Sequence, residues 1–175
     1  MPKASTDPPA TVSSVSSDGS PREGAATLVV FSLDGQRYAL PLPRVERVLP
    51  MVWISPLPEA PAIVVGAVSL GGRVLPVLDI RRRLGLRPRP WGLASRLLVA
   101  RTARFAIALP VDEVISVGVI RVEDAVTRPF SAAGGRIVSG IAGLADGLLY
   151  ICDLDAFLSL DEEERLTRAL AEGAS

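Results

Sequence analysis

The sequence predicts an all-β protein: two small five-stranded barrels packed together, with short helical turns and one C-terminal helix. Three observations lead there. From residue 27 onward, short apolar runs alternate with turns bearing Gly and Pro, the signature of strands rather than long helices. The pattern occurs twice. Tyr38-Ala39-Leu40-Pro41-Leu42-Pro43 parallels Phe105-Ala106-Ile107-Ala108-Leu109-Pro110, and Gly66 through Ile80 parallels Gly140 through Leu154, with similar spacing between the two blocks. Hydrophobic residues make up 49% of the 175-residue chain but aromatics only 5%, so the core must be built from Val, Leu, Ile and Ala. Five short strands bury their apolar faces best by curling into a barrel. One barrel of that size is barely stable alone, so two should share an apolar layer.

The elements follow in order. Residues 1 to 26 are rich in Ser, Pro, Thr, Gly and Ala without apolar periodicity, and read as a disordered tail. Residues 27 to 171 form the ordered domain, one subdomain over about 27–86 and the other over about 96–160. Leu28 to Leu33 is a strand ended by the hairpin turn Asp34-Gly35. Tyr38 to Leu42 pairs back and stops near Pro41 and Pro43, which cannot both join a central ladder. Ile63 to Leu70 and Arg73 to Ile80 are strands joined by Gly71-Gly72, a dipeptide suited to a type I′ turn with φ > 0 at both positions. Asp79 can cap a helical turn through Arg83 and Leu84, with Gly85 stopping it. Arg87 to Trp91 is a proline-broken linker. Strands follow at 97–100, 104–109 and 114–122, then a loop over 127–135. Strands at 137–144 and 148–152 turn near Asp146-Gly147. Asp161 with Glu164 resembles a capping box for a helix over 161–171, with Leu166, Ala169 and Leu170 on its apolar face.

Composition excludes much chemistry. There is no histidine, which removes Ser-His-Asp and Cys-His nucleophilic catalysis and histidine-based metal sites. The single cysteine, Cys152, allows no intramolecular disulfide, and its apolar surroundings suit an inert core thiol. Asp153 and Asp155 have the spacing of a weak cation site, but both have capping roles open to them. No phosphate-binding glycine motif occurs. No catalytic residue, metal or cofactor is therefore expected. Absence of an apolar leader and of any membrane-length run points to the cytoplasm. Net charge is zero, yet Arg73 to Arg104 holds nine arginines and one acid, while Phe105 onward holds five arginines and twelve acids. Such asymmetry can be a solvated surface, or can steer a partner.

Taken together, several stretches resemble the CheW family: F-S-L-D-G-Q-R-Y-A-L-P-L at 31–42, V-x-x-V at 45–48, the P-x-x-P crossing, G-A-V-S-L-G-G-R-V-L-P-V-L-D-I-R at 66–81, V-D-E-V at 111–114 and G-L-A-D-G-L-L-Y-I-C-D-L-D-A-F-L at 143–158. The resemblance spans about residues 27–171. It implies two SH3-like barrels, no catalysis, and an adaptor in bacterial chemotaxis or a related pathway. It also implies two partners: the regulatory domain of a CheA-type histidine kinase, bound barrel to barrel, and the cytoplasmic tip of a chemoreceptor, bound in the groove between barrels. That would place the chain in the cytoplasm, at membrane-associated receptor arrays. Val45, Glu46, Arg47, Val48, Val68, Leu70, Gly71 and Arg73 are the partner-binding residues it suggests. Two positions depart from the family pattern. Arg47 stands where a glutamate is usual, and Gly71 where an arginine is usual, so a diverged scaffold with a dedicated partner is the alternative. A single-stranded nucleic-acid-binding barrel is a further one, favoured by Arg81-Arg82-Arg83, Arg87 and Arg89, but only Trp91 is near to stack on a base.

Overall fold

A computed structural model of the chain describes residues 25–121, 125–126, 130–132 and 135–173. The expected tail lies outside the described residues up to residue 24. Ala25 and Ala26 already belong to the first strand, because Ala25 pairs with Arg121. In chain order the elements are β1 (Ala25–Leu33), β2 (Gln36–Pro41), β3 (Val45–Pro50), β4 (Val64–Leu70), β5 (Arg73–Leu78), α1 (Arg81–Leu84), β6 (Arg96–Arg101), β7 (Ala106–Val111), β8 (Glu113–Arg121), β9 (Ala125–Val126), β10 (Phe130–Ala132), β11 (Gly135–Leu144), β12 (Gly147–Cys152) and α2 (Leu160–Gly173). A 3-10 turn at Leu42–Arg44, which contains Pro43, follows β2 directly after Pro41, and another spans Leu154–Ala156. The turns obey the expected chemistry. Gly71 and Gly72 have φ of 56° and 79°, Asp34 and Gly35 have 52° and 77°, and Gly85 ends α1 at 70°.

The strands make two sheets. One runs β10-β11-β12-β2-β1-β8, with β9 also on β11; the other runs β3-β6-β7-β5-β4. The expected split near residue 86 describes the repeat in sequence but not the sheets. The hairpin β1-β2 leaves the first half to pair with β8 and with β12, while β4-β5 meets β6-β7 through β5 and β7. Each half thus gives its first hairpin to one sheet and its other strands to the other.

The repeat is nevertheless visible bond by bond. The Asp79 N–H donates to the Ile63 carbonyl at 2.9 Å, and the Asp153 N–H to the Ile137 carbonyl at 2.7 Å. β4 carries a bulge between Val64 and Gly66, and β11 carries one between Val138 and Gly140, the equivalent place in the second half. The first hairpins correspond in a different register from the one the apolar pattern suggests: Pro110 answers to Pro41 rather than to Pro43. Val45 pairs with Ala100 before a bulge just as Val114 pairs with Phe31 before one, and Pro41 and Pro110 hold like places opposite Leu28 and Leu97. A two-residue slip returns every side chain to the same face of a strand, so the apolar alternation looks right in either alignment. Only the pairing register distinguishes them.

Three apolar layers result. The five-stranded sheet encloses Val68, Leu75, Val77, Leu97, Val99 and Ala108. The larger sheet encloses their counterparts Leu28, Val30, Ala39, Ala142 and Leu149. Between the sheets lies a central layer including Phe31, Leu40, Leu78, Leu98, Ile107 and Leu109. Alternation along each strand divides side chains between the barrel interior and this shared layer. In each sheet the chain beyond one end strand, β3 or β8, returns to the far side of the sheet, meeting the end strand β4 in one and β11, next to the end strand β10, in the other. Ser55 bridges Ala67, and Val126 pairs with Ile141. The two sheets are open barrels of SH3-like form, their edges drawn together by a short bridge rather than joined by a full ladder.

Two local expectations shift. Part of the expected loop 127–135 is the strand β10, whose Phe130 pairs with Val138; residues 127–129 and 133–134 lie outside the described residues. The β11 template makes this strand, not an apolar run of its own. The C-terminal helix is capped by Ser159, not Asp161. The Glu162 N–H donates to Ser159 Oγ at 3.3 Å, and the Ser159 N–H donates to a Glu162 carboxylate oxygen at 2.9 Å. Ser-x-x-Glu closes both bonds, and Asp161 falls in the first turn, where its charge suits the helix dipole. Leu166 and Ala169 are buried under the helix as expected.

Candidate partner-binding surfaces

Two surfaces emerge. The first is the mouth of the five-stranded barrel. Following the interior face along each strand leads outward from Val99 to Arg101 on β6, from Leu75 to Arg73 on β5, and from Leu49 to Arg47 on β3. Three arginines therefore stand at one rim. Glu46, the extra residue of the β3 bulge, points among them. It accepts from Arg101 Nε at 3.3 Å and Nη2 at 3.0 Å, and from Arg73 Nη1 at 3.5 Å. Those Arg101 bonds, with the Arg73 charge, hold the Glu46 carboxyl below its usual range. Gly71 lies one turn from Arg73, and a Cβ there would meet nothing within 4 Å, so this side of the rim is open.

The second surface is a groove of about 520 Å³ between the end strands of the two sheets, lined by Val48 of β3, Val114 of β8, Ala94, Arg96, Asp112 and Glu113. The chain leaves apolar side chains uncovered beside it. Val48 pairs with Leu98 and Val117 with Val29, both central-layer positions, yet Val48 is 40% and Val117 57% exposed. They are equivalent residues of the repeat, on the two strands that flank the groove.

The predicted site residues divide accordingly. Glu46, Arg47, Gly71 and Arg73 gather at the barrel mouth. Val48 lines the groove. Val45 is half-buried against the central layer, and Leu70 is half-buried at the barrel interior. Val68 is 3% exposed in the barrel core. Its place on the interior face of β4, with Ser69 turned outward, takes it out of reach of a partner. No local signal in the sequence marks Arg101, because its place at the rim depends on the β3–β6 register. Val114 and Val117 were hidden by the apolar pattern, which sets Val45 to Val48 against Val111 to Val114.

Cys152 and the Asp153–Asp155 pair lie outside both surfaces. Burial pushes the Cys152 thiol up to about 12, which keeps it protonated and unreactive. The Asp153 carboxylate accepts from the Asp155 N–H at 3.0 Å, and Asp155 takes the Ala103 N–H and Arg44, so the Asp-x-Asp pair is occupied in capping and ion pairing. No helix of the described residues is long and apolar enough to cross a membrane.

Comparison with known proteins gives one consistent result. Residues 27–162 match the CheW-like domain family. The chain is 25% identical over 146 residues to a probable chemotaxis protein CheW of Rhizobium etli, covering 81% of this chain and 93% of that one. It is 31% identical over 99 residues to protein FrzA of Myxococcus xanthus, covering 57% and 62% of the two chains. Among solved structures it resembles the scaffolding protein TtCheW of Thermoanaerobacter tengcongensis, with a TM-score of 0.71, 28% identity, and coverage of 78% of this chain and 94% of that chain.

Proposed function

This chain belongs to the CheW-like domain family, and from that premise we propose that it is a non-enzymatic adaptor joining a chemoreceptor tip to the regulatory domain of a CheA-type histidine kinase. Such work takes place in the cytoplasm at receptor arrays. The observation that carries the reading is the groove between β3 and β8, lined by Val48 and Val114, where Val48, and Val117 farther along β8, stay exposed although their strand partners are core residues. Val48 and Val114, rimmed by Arg96, Asp112 and Glu113, suit a modest protein interface, with an apolar centre and a polar border.

The test is calorimetric titration of the full chain with the co-encoded receptor-tip and kinase regulatory-domain fragments. Val48→Asp and Val117→Asp should each weaken the receptor-tip contact at least about tenfold, a charge buried without a partner costing more than the roughly 1.4 kcal/mol this represents. Circular dichroism should stay native, because both side chains are already exposed. Native binding by both variants would remove the groove from the interface. A chain that binds neither fragment would remove the adaptor reading.

A narrower reading concerns the partner. A typical family member would carry glutamate at Arg47 and arginine at Gly71. Here the exposed arginine at 47 favours a dedicated, diverged partner over a mainstream receptor tip. Arg47→Glu should strengthen binding to a mainstream tip and weaken binding to the co-encoded one.

A further inference from the structure

We propose that the mouth of the five-stranded barrel receives an acidic segment of the partner protein, its carboxylates held by Arg47 and Arg73. This deepens the adaptor reading and rests on it.

The two barrels of this chain serve as each other's control. They share strand order, bulges and interior positions, so a residue the fold requires should recur in both. At the mouth of the larger barrel, Ser32, Ser116 and Gly147 hold the places of Arg101, Arg47 and Arg73, and Ile115 holds the place of Glu46. The larger barrel forms without guanidinium groups there. Its own Arg37 is paired with Asp146 at 2.8 Å, leaving no excess of charge. The five-stranded mouth carries three arginines against one glutamate, an excess of two positive charges that folding does not explain.

Glu46 shows the geometry a visiting carboxylate would use, and also what remains for it. Arg101 is well satisfied by Glu46 at 3.0 Å. Arg73 reaches Glu46 only at 3.5 Å, long for a charge-assisted bond, and half its side chain is exposed. Arg47 is exposed and makes no ion pair among the described residues. Glycine at 71 leaves the approach to Arg73 clear. Single-stranded nucleic acid fits less well, since none of the strand positions forming the rim, Arg47, Leu70, Arg73, Arg101 and Ala106, is aromatic, and stacking is what such ligands need.

The experiment uses the full chain labelled with 15N. A short polyglutamate peptide is titrated in at low salt while the arginine Nε–H and the Gly71 and Gly72 amide signals are followed. Saturable shifts are expected at Arg47, Arg73 and Arg101. Arg47→Gln and Arg73→Gln should each weaken binding about two- to fivefold, the range for exposed ion pairs, and the double variant should lose the saturable site. Arg165→Gln on α2 should change nothing. Shifts spread equally over Arg87, Arg165 and Arg168, or tighter binding of oligothymidylate at the same residues, would overturn the proposal. The double variant is then titrated against the co-encoded kinase and receptor fragments. Native affinity for both would leave the adaptor reading standing and end the role of the mouth.

Discussion

Arg81 is 1% exposed, an unusual place for a guanidinium. It bonds Asp112, lies 3.6 Å from Asp34, and stacks on Trp91 at 4.2 Å from the ring centre, yet its Nε and Nη1 have no partner among the described residues. A buried charge so held is costly to strand and cheap to replace. Asp112→Ala should therefore destabilise by roughly 3 kcal/mol. Arg81→Met, which removes the unpaired donors and keeps a flexible stem on Trp91, should cost under about 1.5 kcal/mol. Urea denaturation orders the two, and a larger loss for Arg81→Met would contradict this account. Glycines give a second contrast. A Cβ on Gly66 would lie 2.3 Å from the Ser55 carbonyl oxygen and 2.7 Å from Ile54, so Gly66→Ala must break the Ser55–Ala67 closure, at a cost of at least about 2 kcal/mol. Gly71→Ala meets open space and should lose only about 1 kcal/mol, from its positive φ.

Among the elements, α2 depends most on charge. Arg83 bonds Glu162, and Arg104 bonds Glu163 at 2.7 Å, tying the helix to α1 and to the β6–β7 turn. Burial pushes the Glu162 carboxyl up, but the Ser159 N–H and Arg83 outweigh it and leave it below the ordinary value of 4.5. A carboxyl lowered by folding stabilises above its unfolded value and loses that contribution as pH falls through the folded one. Amide exchange in α2 should quicken as pH drops below about 4.3, before the barrels open. Asp79, raised by burial, has the opposite sign, so the β5–α1 corner should not loosen in that window. Ser159→Ala should cost about 1 kcal/mol through the lost cap and move the onset of exchange to higher pH. Uniform acid unfolding of all elements would refute the separation.

For the whole molecule, the charge asymmetry proves to be largely internal. Of the nine arginines between 73 and 104, all but Arg87 and Arg96 lie within 4.0 Å of a carboxylate among the described residues. Arg81, Arg83 and Arg104 meet Asp112, Glu162 and Glu163 of the acidic C-terminal part, while Arg73, Arg82, Arg89 and Arg101 meet Glu46, Asp79 and Asp34, which precede it, so few cations of the basic stretch are left for long-range steering. Because strands cross between halves, neither half holds a complete sheet. A protease site placed at Leu93, fully exposed in the linker, should be cut without separating the fragments, which should co-elute by size exclusion and part only in denaturant. Fragments that separate on cutting would argue against the exchange of hairpins.

The sequence by itself determined the local events. Asp34-Gly35 and Gly71-Gly72 dictated their turns, Gly85 its helix end, Pro41 the end of β2, and alternating Val, Leu and Ile the strands, because each needs only a few neighbouring residues and backbone sterics. It also determined that the chain repeats and has no histidine chemistry. Tertiary structure alone decided which hairpin joined which sheet, since the faces of β1-β2 and β6-β7 are equally apolar and either could complete either barrel. It alone matched Pro110 to Pro41 and Val114 to Val45, because a two-residue slip preserves alternation and only hydrogen-bond register tells the alignments apart. That register makes Val117 the counterpart of Val48, while the β4–β5 pairing turns Val68 inward and the β3–β6 pairing carries Arg101 to the rim beside Arg47 and Arg73. Partner surfaces are made where strands distant in sequence end together, and no local pattern records that meeting.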